Sequence, residues 1–180
     1  MFSTELTTQR LYIRRLTEQD WTGAFEYLSD PEVVRYEPYS PLTRQECREF
    51  AAYAGKTGNF WAILLAESEQ LIGQVFLMEK ECLNWETGYV FNRAYHGHGY
   101  ATEAVKKLLG FVFSRENAHR VYANCNPDNT PSWRLLERLG FRREGTLRKN
   151  IYFKKDATGN PLWQDTYIYG MVKDEWEAKP

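Results

Sequence analysis

Two rhythms of apolar residues run along the chain. Leu11, Ile13 and Leu16, with arginines between them, predict a first strand. Thr17 followed by Asp20 resembles a capping box and opens a helix through Trp21, Phe25 and Leu28, which Asp30-Pro31 ends. Thr43 and Glu46 repeat that pattern, and Phe50, Tyr53 and Ala54 mark the apolar side of a second helix that stops at Gly55. Phe60–Ala66, Leu71–Met78 and Trp85–Phe91 read as three strands, and the short connections between them imply an antiparallel meander. In the stretch Ala101–Phe113, apolar residues at Ala101, Ala104, Val105, Leu108, Leu109 and Val112 form a helical stripe facing a sheet. Arg120–Cys125 follows as a strand, so the crossover from Trp85 to Cys125 predicts a parallel pair. Thr130 then caps a helix with Pro131 at its first position and Gly140 at its end. Phe141–Leu147 and Trp163–Val172 close the fold, joined by a polar excursion turning at Gly159-Asn160-Pro161. The expected fold is one α/β domain over residues 1–180: a mixed, mostly antiparallel sheet flanked by helices.

Chemistry concentrates where a strand meets the strongest helix, at His96-Gly97-His98-Gly99-Tyr100-Ala101-Thr102. First-turn amides of a helix lack intrahelical partners and carry partial positive charge. Glycines at 97 and 99 leave room for an anion to reach them, and a diphosphate engaging several amides is the natural ligand. A glycine-rich turn with no ligand fits the same pattern. A dinucleotide fold fits worse, because the strand Ala123-Asn124-Cys125 lacks an acid at its end, and no Gly-Lys-Ser/Thr phosphate loop occurs.

Composition narrows the classes. With 23 basic and 24 acidic residues, net charge −1, the chain has no basic excess for nucleic acid. The longest apolar runs are too short to cross a bilayer, and the N-terminus lacks a signal-peptide core, so no membrane role is expected. Cys47, Cys82 and Cys125 are odd in number and lack metal-ligand spacing, so reduced thiols in a cytoplasmic protein and no metal are expected. His96, His98 and His119 likewise lack a carboxylate or thiol at ligand spacing. Aromatic residues make up 16% of the chain, which suits a sheet core beside an organic-ligand cleft.

Three ordered segments carry a family resemblance: Glu86-Thr-Gly-Tyr-Val-Phe, His96-Gly-His-Gly-Tyr-Ala-Thr-Glu-Ala, and Asn129-Thr-Pro-Ser-Trp-Arg-Leu-Leu-Glu-Arg-Leu-Gly-Phe. Together they resemble the GCN5-related N-acetyltransferase (GNAT) superfamily, and within it the RimJ/RimL-type branch that acetylates N-terminal alanines of ribosomal proteins. Thr8-Gln-Arg-Leu-Tyr-Ile-Arg-Arg-Leu and Asp30-Pro-Glu-Val match that branch too. The resemblance implies acetyl-CoA as donor. Amides from Gly97 through His98, Gly99 and Tyr100 to Ala101 would hold its pyrophosphate, the strand with Val90 and Phe91 would pair with the pantetheine arm, and Asn129 would hydrogen-bond that arm. An amide near Val90 or Phe91 would serve the oxyanion. It further implies Glu86 as the base, directly or through water, and Ser132 as proton donor to the thiolate. The tyrosine many relatives use for that last role is replaced by Leu136.

The family motif has glutamine or arginine where this chain has His96, and often lysine or arginine at His98. Imidazole charge depends on pH, so acetyl-CoA is expected to bind more weakly at pH 8 than at pH 6. Residues 17–29, 36–39 and 154–163 are the expected walls of an acceptor cleft, with Glu37 attracting a cationic amine. An N-terminal peptide amine is the expected acceptor, with aminoglycosides, polyamines and other small amines as alternatives; a homodimer is compatible with all of these. Leu136 keeps open a second class, an idle acyl-CoA sensor.

Overall fold

A computed structural model describes residues 5–178. Strands β1 (Leu6–Thr7), β2 (Leu11–Arg15), β3 (Phe60–Leu65), β4 (Leu71–Glu79), β5 (Asn84–Phe91), β6 (Arg120–Cys125), β7 (Arg142–Ile151) and β8 (Gln164–Val172) form one sheet in the order β1-β2-β3-β4-β5-β6-β8-β7. Helices α1 (Trp21–Leu28), α2 (Arg44–Thr57), α3 (Tyr100–Arg115), α4 (Thr130–Leu139) and α5 (Lys173–Glu177) cover its faces. The expected antiparallel meander and parallel crossover are both present.

Side-chain alternation splits the core into two layers. Ile13, Trp61, Ile63, Val75 and Trp85 pack with α3 and α4 residues such as Leu108 and Leu136. Ala62, Leu64 and Val90 pack on the other face with α1 and α2 residues such as Tyr27 and Ala51. Ile63 opposes Gly73 and Leu64 opposes Leu71, so Ile72 is an extra residue, a bulge in β4.

Several boundaries shift by one or a few residues from expectation, three of them in ways that bear on the packing. Helix α2 continues past Gly55 and ends at Gly58, which adopts the left-handed φ of 66°. Asn129, rather than Thr130, caps α4, its side chain accepting the Ser132 amide at 3.3 Å. β7 runs four residues beyond Leu147, to Ile151, with pairing to β8 interrupted where Lys149 takes a φ of 47°.

Candidate active site

β5 and β6 are paired only from Asn84↔Arg120 to Glu86↔Tyr122 and then diverge. Successive residues of a strand direct their amide and carbonyl to alternate sides. Asn92 donates to Ile72 O on the β4 side at 2.9 Å, so the Val90 amide also faces β4, whereas those of Tyr89 and Phe91 face the split. Phe91 is therefore the member of the expected Val90/Phe91 pair whose amide is available to a ligand there. A cleft of about 1600 Å³ runs through the split, from Phe76 and Glu86 to Gly97 and Arg138.

At one end lies the glycine cradle. Gly97 and Gly99 have φ of 79° and 82°, and a Cβ added at Gly97 would meet nothing within 4 Å. Both conformations favour glycine. The first rung of α3 is Glu103 N–H to Gly99 O at 3.0 Å, so the Tyr100 and Ala101 amides precede the ladder. This open, amide-lined turn fits a diphosphate. Glu103 would oppose an anion, but Arg10 Nε grips it at 2.7 Å and the Thr8 hydroxyl at 2.5 Å. Burial works against its ionisation, yet these hydrogen bonds prevail and hold it below the usual carboxylate range. Arg10 also donates to His98 O at 3.0 Å and stacks on Tyr100, 4.6 Å from the ring centre, which pins the loop to β2.

His96 Nε2 lies 2.9 Å from Phe91 O and, facing a carbonyl, carries a proton. A phosphate hydrogen bond from this ring then needs a second proton on Nδ1. His98 is exposed, its ring stacked near Tyr100. Lys106, Arg134 and Arg138 also line the cleft, and Arg138 reaches Thr102 Oγ1 at 3.1 Å. Sequence reasoning missed these cations and the role of Arg10, because isolated charges on helix faces give no local signal.

Ser132 meets β5 within the cleft, which Asn129 also lines. The Tyr89 hydroxyl donates to Ser132 O at 2.9 Å and lies 3.1 Å from Ser132 Oγ. Burial raises the Tyr89 pKa, so the phenol stays protonated, and its bonds orient Ser132. Asn129 spends its Oδ1 on the cap, and its Nδ2 has no partner among the described residues. Leu136, at the tyrosine position of many relatives, is 1% exposed. Cys125 is buried, and desolvation raises its thiol above the ordinary value, so it remains an unreactive thiol.

Of the carboxylates that line the cleft, Glu86 and Glu37 differ sharply in their surroundings. Glu86 Oε2 forms an ion pair with Lys80 Nζ at 3.0 Å, and Asn124 Nδ2 approaches Oε1 at 3.4 Å. Glu37 is half-buried, and its carboxylate has no hydrogen bond or ion pair among the described residues. Burial pushes its pKa up to about 7. Of the expected walls only the 36–38 portion lines the cleft; residues 17–29 and 154–163 do not, and Leu147, Ile151, Phe153 and Gln164 stand in their place.

The Glu37 shift makes a stability prediction. An unfolded glutamate releases its proton near pH 4.3, whereas the folded protein holds it to about 7. The native state therefore binds more protons in between, and stability is lost as pH rises through that window. Glu37→Gln is expected to gain roughly 1–3 kcal/mol over wild type between pH 4.5 and pH 8. Thermal melts across that range check it; a difference that does not change with pH refutes the burial of this charge.

Among the described residues no cluster of three His, Cys, Asp or Glu could hold a metal, and no helix is long and apolar enough to cross a membrane. The sequence pattern of the family described as "Acetyltransferase (GNAT) domain" matches residues 10–142. The uncharacterized N-acetyltransferase YnaD of Bacillus subtilis (strain 168) is 35% identical over 173 residues, 95% of this chain and 98% of its own. The crystal structure of a GNAT family acetyltransferase from Bacillus anthracis has a TM-score of 0.87 at 33% identity, covering 96% of this chain and 100% of that one. A ribosomal-protein-S5-alanine acetyltransferase from Vibrio fischeri, 21% identical, shares the fold with a TM-score of 0.71 over 98% of this chain and 100% of its own. A sheet that opens beside an amide-lined turn, matched in sequence and shape over nearly its whole length, makes this chain a member of the GNAT family of N-acetyltransferases, in its RimJ/RimL-like branch.

Proposed function

We propose that the protein transfers acetyl from acetyl-CoA directly to the α-amine of a peptide N-terminus. The observation that carries this reading is the pair of Tyr89 and Phe91 amides facing the split, in one cleft with the Gly97–Ala101 cradle. Cradle amides would take the pyrophosphate, and Asn129 Nδ2 the pantetheine arm. The Phe91 amide is the oxyanion donor; such donors are worth about 10²–10³ in rate. Ser132, held by Tyr89 in the first turn of α4, would protonate the departing thiolate. Glu86 and Glu37 give the acceptor side the negative charge that draws in an ammonium. Leu147, Ile151 and Phe153 offer apolar contacts to a peptide, and relatives named for ribosomal proteins support a peptide over a small amine.

Thermal shift with acetyl-CoA beside NAD, followed by thiol release over a panel of peptides and amines, tests this reading. Stabilisation by acetyl-CoA alone is expected, with turnover on free α-amines. Ser132→Ala should lower kcat about tenfold or more and leave KM for acetyl-CoA unchanged. Stabilisation without turnover on any amine would leave an idle acyl-CoA sensor instead.

A further inference from the structure

Resting on the acetyltransferase reading, we infer that Glu37 is the general base of this enzyme and that it selects acceptors with an α-amine. The segment between α1 and α2 holds Glu37 in place. The Glu37 amide donates to Val34 O at 3.0 Å, Leu42 N to Leu28 O at 2.9 Å, and Arg93 pairs with Asp30 at 3.3 Å. The neighbouring Tyr36 hydroxyl reaches Asp128 O at 3.2 Å, tying this segment to the turn that leads into α4. Glu37 therefore lines the same cleft as Cys125, Asn129 and Ser132. Glu86, the base expected from the sequence, has both oxygens engaged by Lys80 and Asn124.

The titratable groups that sense Glu37 are Tyr39, on its own segment, and Cys125, from β6; burial keeps both protonated. Cys47 of α2 lies beyond Tyr39, also raised by burial, and Arg35 on the same loop pairs with Glu32. Among the described residues no cation compensates the Glu37 carboxylate, so its place in the cleft costs stability and serves no structural bond. A carboxyl titrating at about 7 is matched to an α-ammonium of pKa about 7.7–8.0. Taking that proton is unfavourable by roughly tenfold, against more than a thousandfold for an alkylammonium of pKa about 10.4.

The Glu37 carboxylate takes one proton from the ammonium, and the freed nitrogen lone pair forms the N–C bond at the thioester carbonyl. Collapse of the oxyanion breaks the C–S bond. As the Ser132 hydroxyl delivers its proton to the sulfur, its oxygen takes up the second nitrogen proton; Glu37 then releases its proton to solvent, and the products are amide, coenzyme A thiol and that one proton.

The experiment measures thiol release at saturating acetyl-CoA from pH 5.5 to 9, with two peptides: one with a free α-amine and no lysine, the other α-blocked with one lysine. Wild type should prefer the first and lose activity below about pH 7, where the base is protonated. Glu37→Gln should lower kcat 100-fold or more and lose that acid limb, with KM for acetyl-CoA within twofold and the acetyl-CoA thermal shift intact. Glu37→Asp should recover part of the rate, and Glu86→Gln should keep the acid limb and raise KM for the peptide rather than lower kcat. A Glu37→Gln rate within threefold of wild type, an unchanged acid limb, or the large loss in Glu86→Gln overturns the assignment while leaving the acetyltransferase reading standing. Preference for the lysine peptide overturns the α-amine selection. Wild type silent on every amine overturns the acetyltransferase reading and this assignment together.

Discussion

Gly97→Val is expected to weaken acetyl-CoA binding about 30-fold or more while barely moving the melting temperature. A β-branched residue is a genuine outlier at the φ of 79° found there, and such strain costs about 1–3 kcal/mol. Position 97 is exposed and a Cβ there would touch no protein atom, so the free loop relaxes without penalty. Binding the donor forces it back, and about 2 kcal/mol charged to binding is about 30-fold in Kd. Asparagine tolerates the left-handed region and separates two causes. Tight binding by Gly97→Asn would mean conformation alone matters, and weak binding that a side chain stands where the phosphates go. Calorimetric titration decides it; a valine variant within threefold of wild type would show that the 97–101 turn does not hold the donor.

Gly73→Ala should be the most damaging single methyl in the sheet. Gly73 opposes Phe91 across β4 and β5, and its added Cβ would lie 2.7 Å from Val90 O and 2.6 Å from Phe91 Cδ1. The carbonyl is backbone and cannot swing aside, so β5 itself must shift. Overpacking of this kind costs about 1–3 kcal/mol, a fall of several degrees in Tm for a chain of this size. The displaced strand carries the Tyr89 and Phe91 amides, so kcat should fall along with Tm. A melt within about 1 °C of wild type would show that the strands can part there freely.

Much of this architecture was legible in the residue pattern, because strands and α3 bury one face each and so write their period into the sequence. The errors come from residues with two qualified neighbours. Gly55 and Gly58 both suit a helix end, but Gly55 lies inside α2 near the backbone of Leu16 and Thr17, and Gly58 alone takes the left-handed turn. Asn129 and Thr130 are both good caps, and tertiary context picked the first. β1, only two residues long, has no period to detect. At the site, local motifs singled out the Gly97–Ala101 turn, Ser132 and Asn129, which the fold brings to one cleft. The Tyr89–Ser132 bond joins residues 43 apart and the Tyr36–Asp128 bond residues 92 apart, so neither leaves a trace in neighbouring positions. Glu37 was noted only as an attractive charge; its burial comes from packing, which composition cannot convey.

The divergence of β5 from β6 has a consequence for handling the protein. It leaves bare backbone donors in the middle of an eight-stranded sheet, the kind of raw seam that invites another extended chain to add itself. The pantetheine arm, itself amide-bearing, would act as a surrogate ninth strand that sews the seam shut. Preparations stripped of donor should then be the sticky ones, prone to clumping and quick to swap amide hydrogens at Tyr89 and Phe91, and a little coenzyme A in the buffer should cure both.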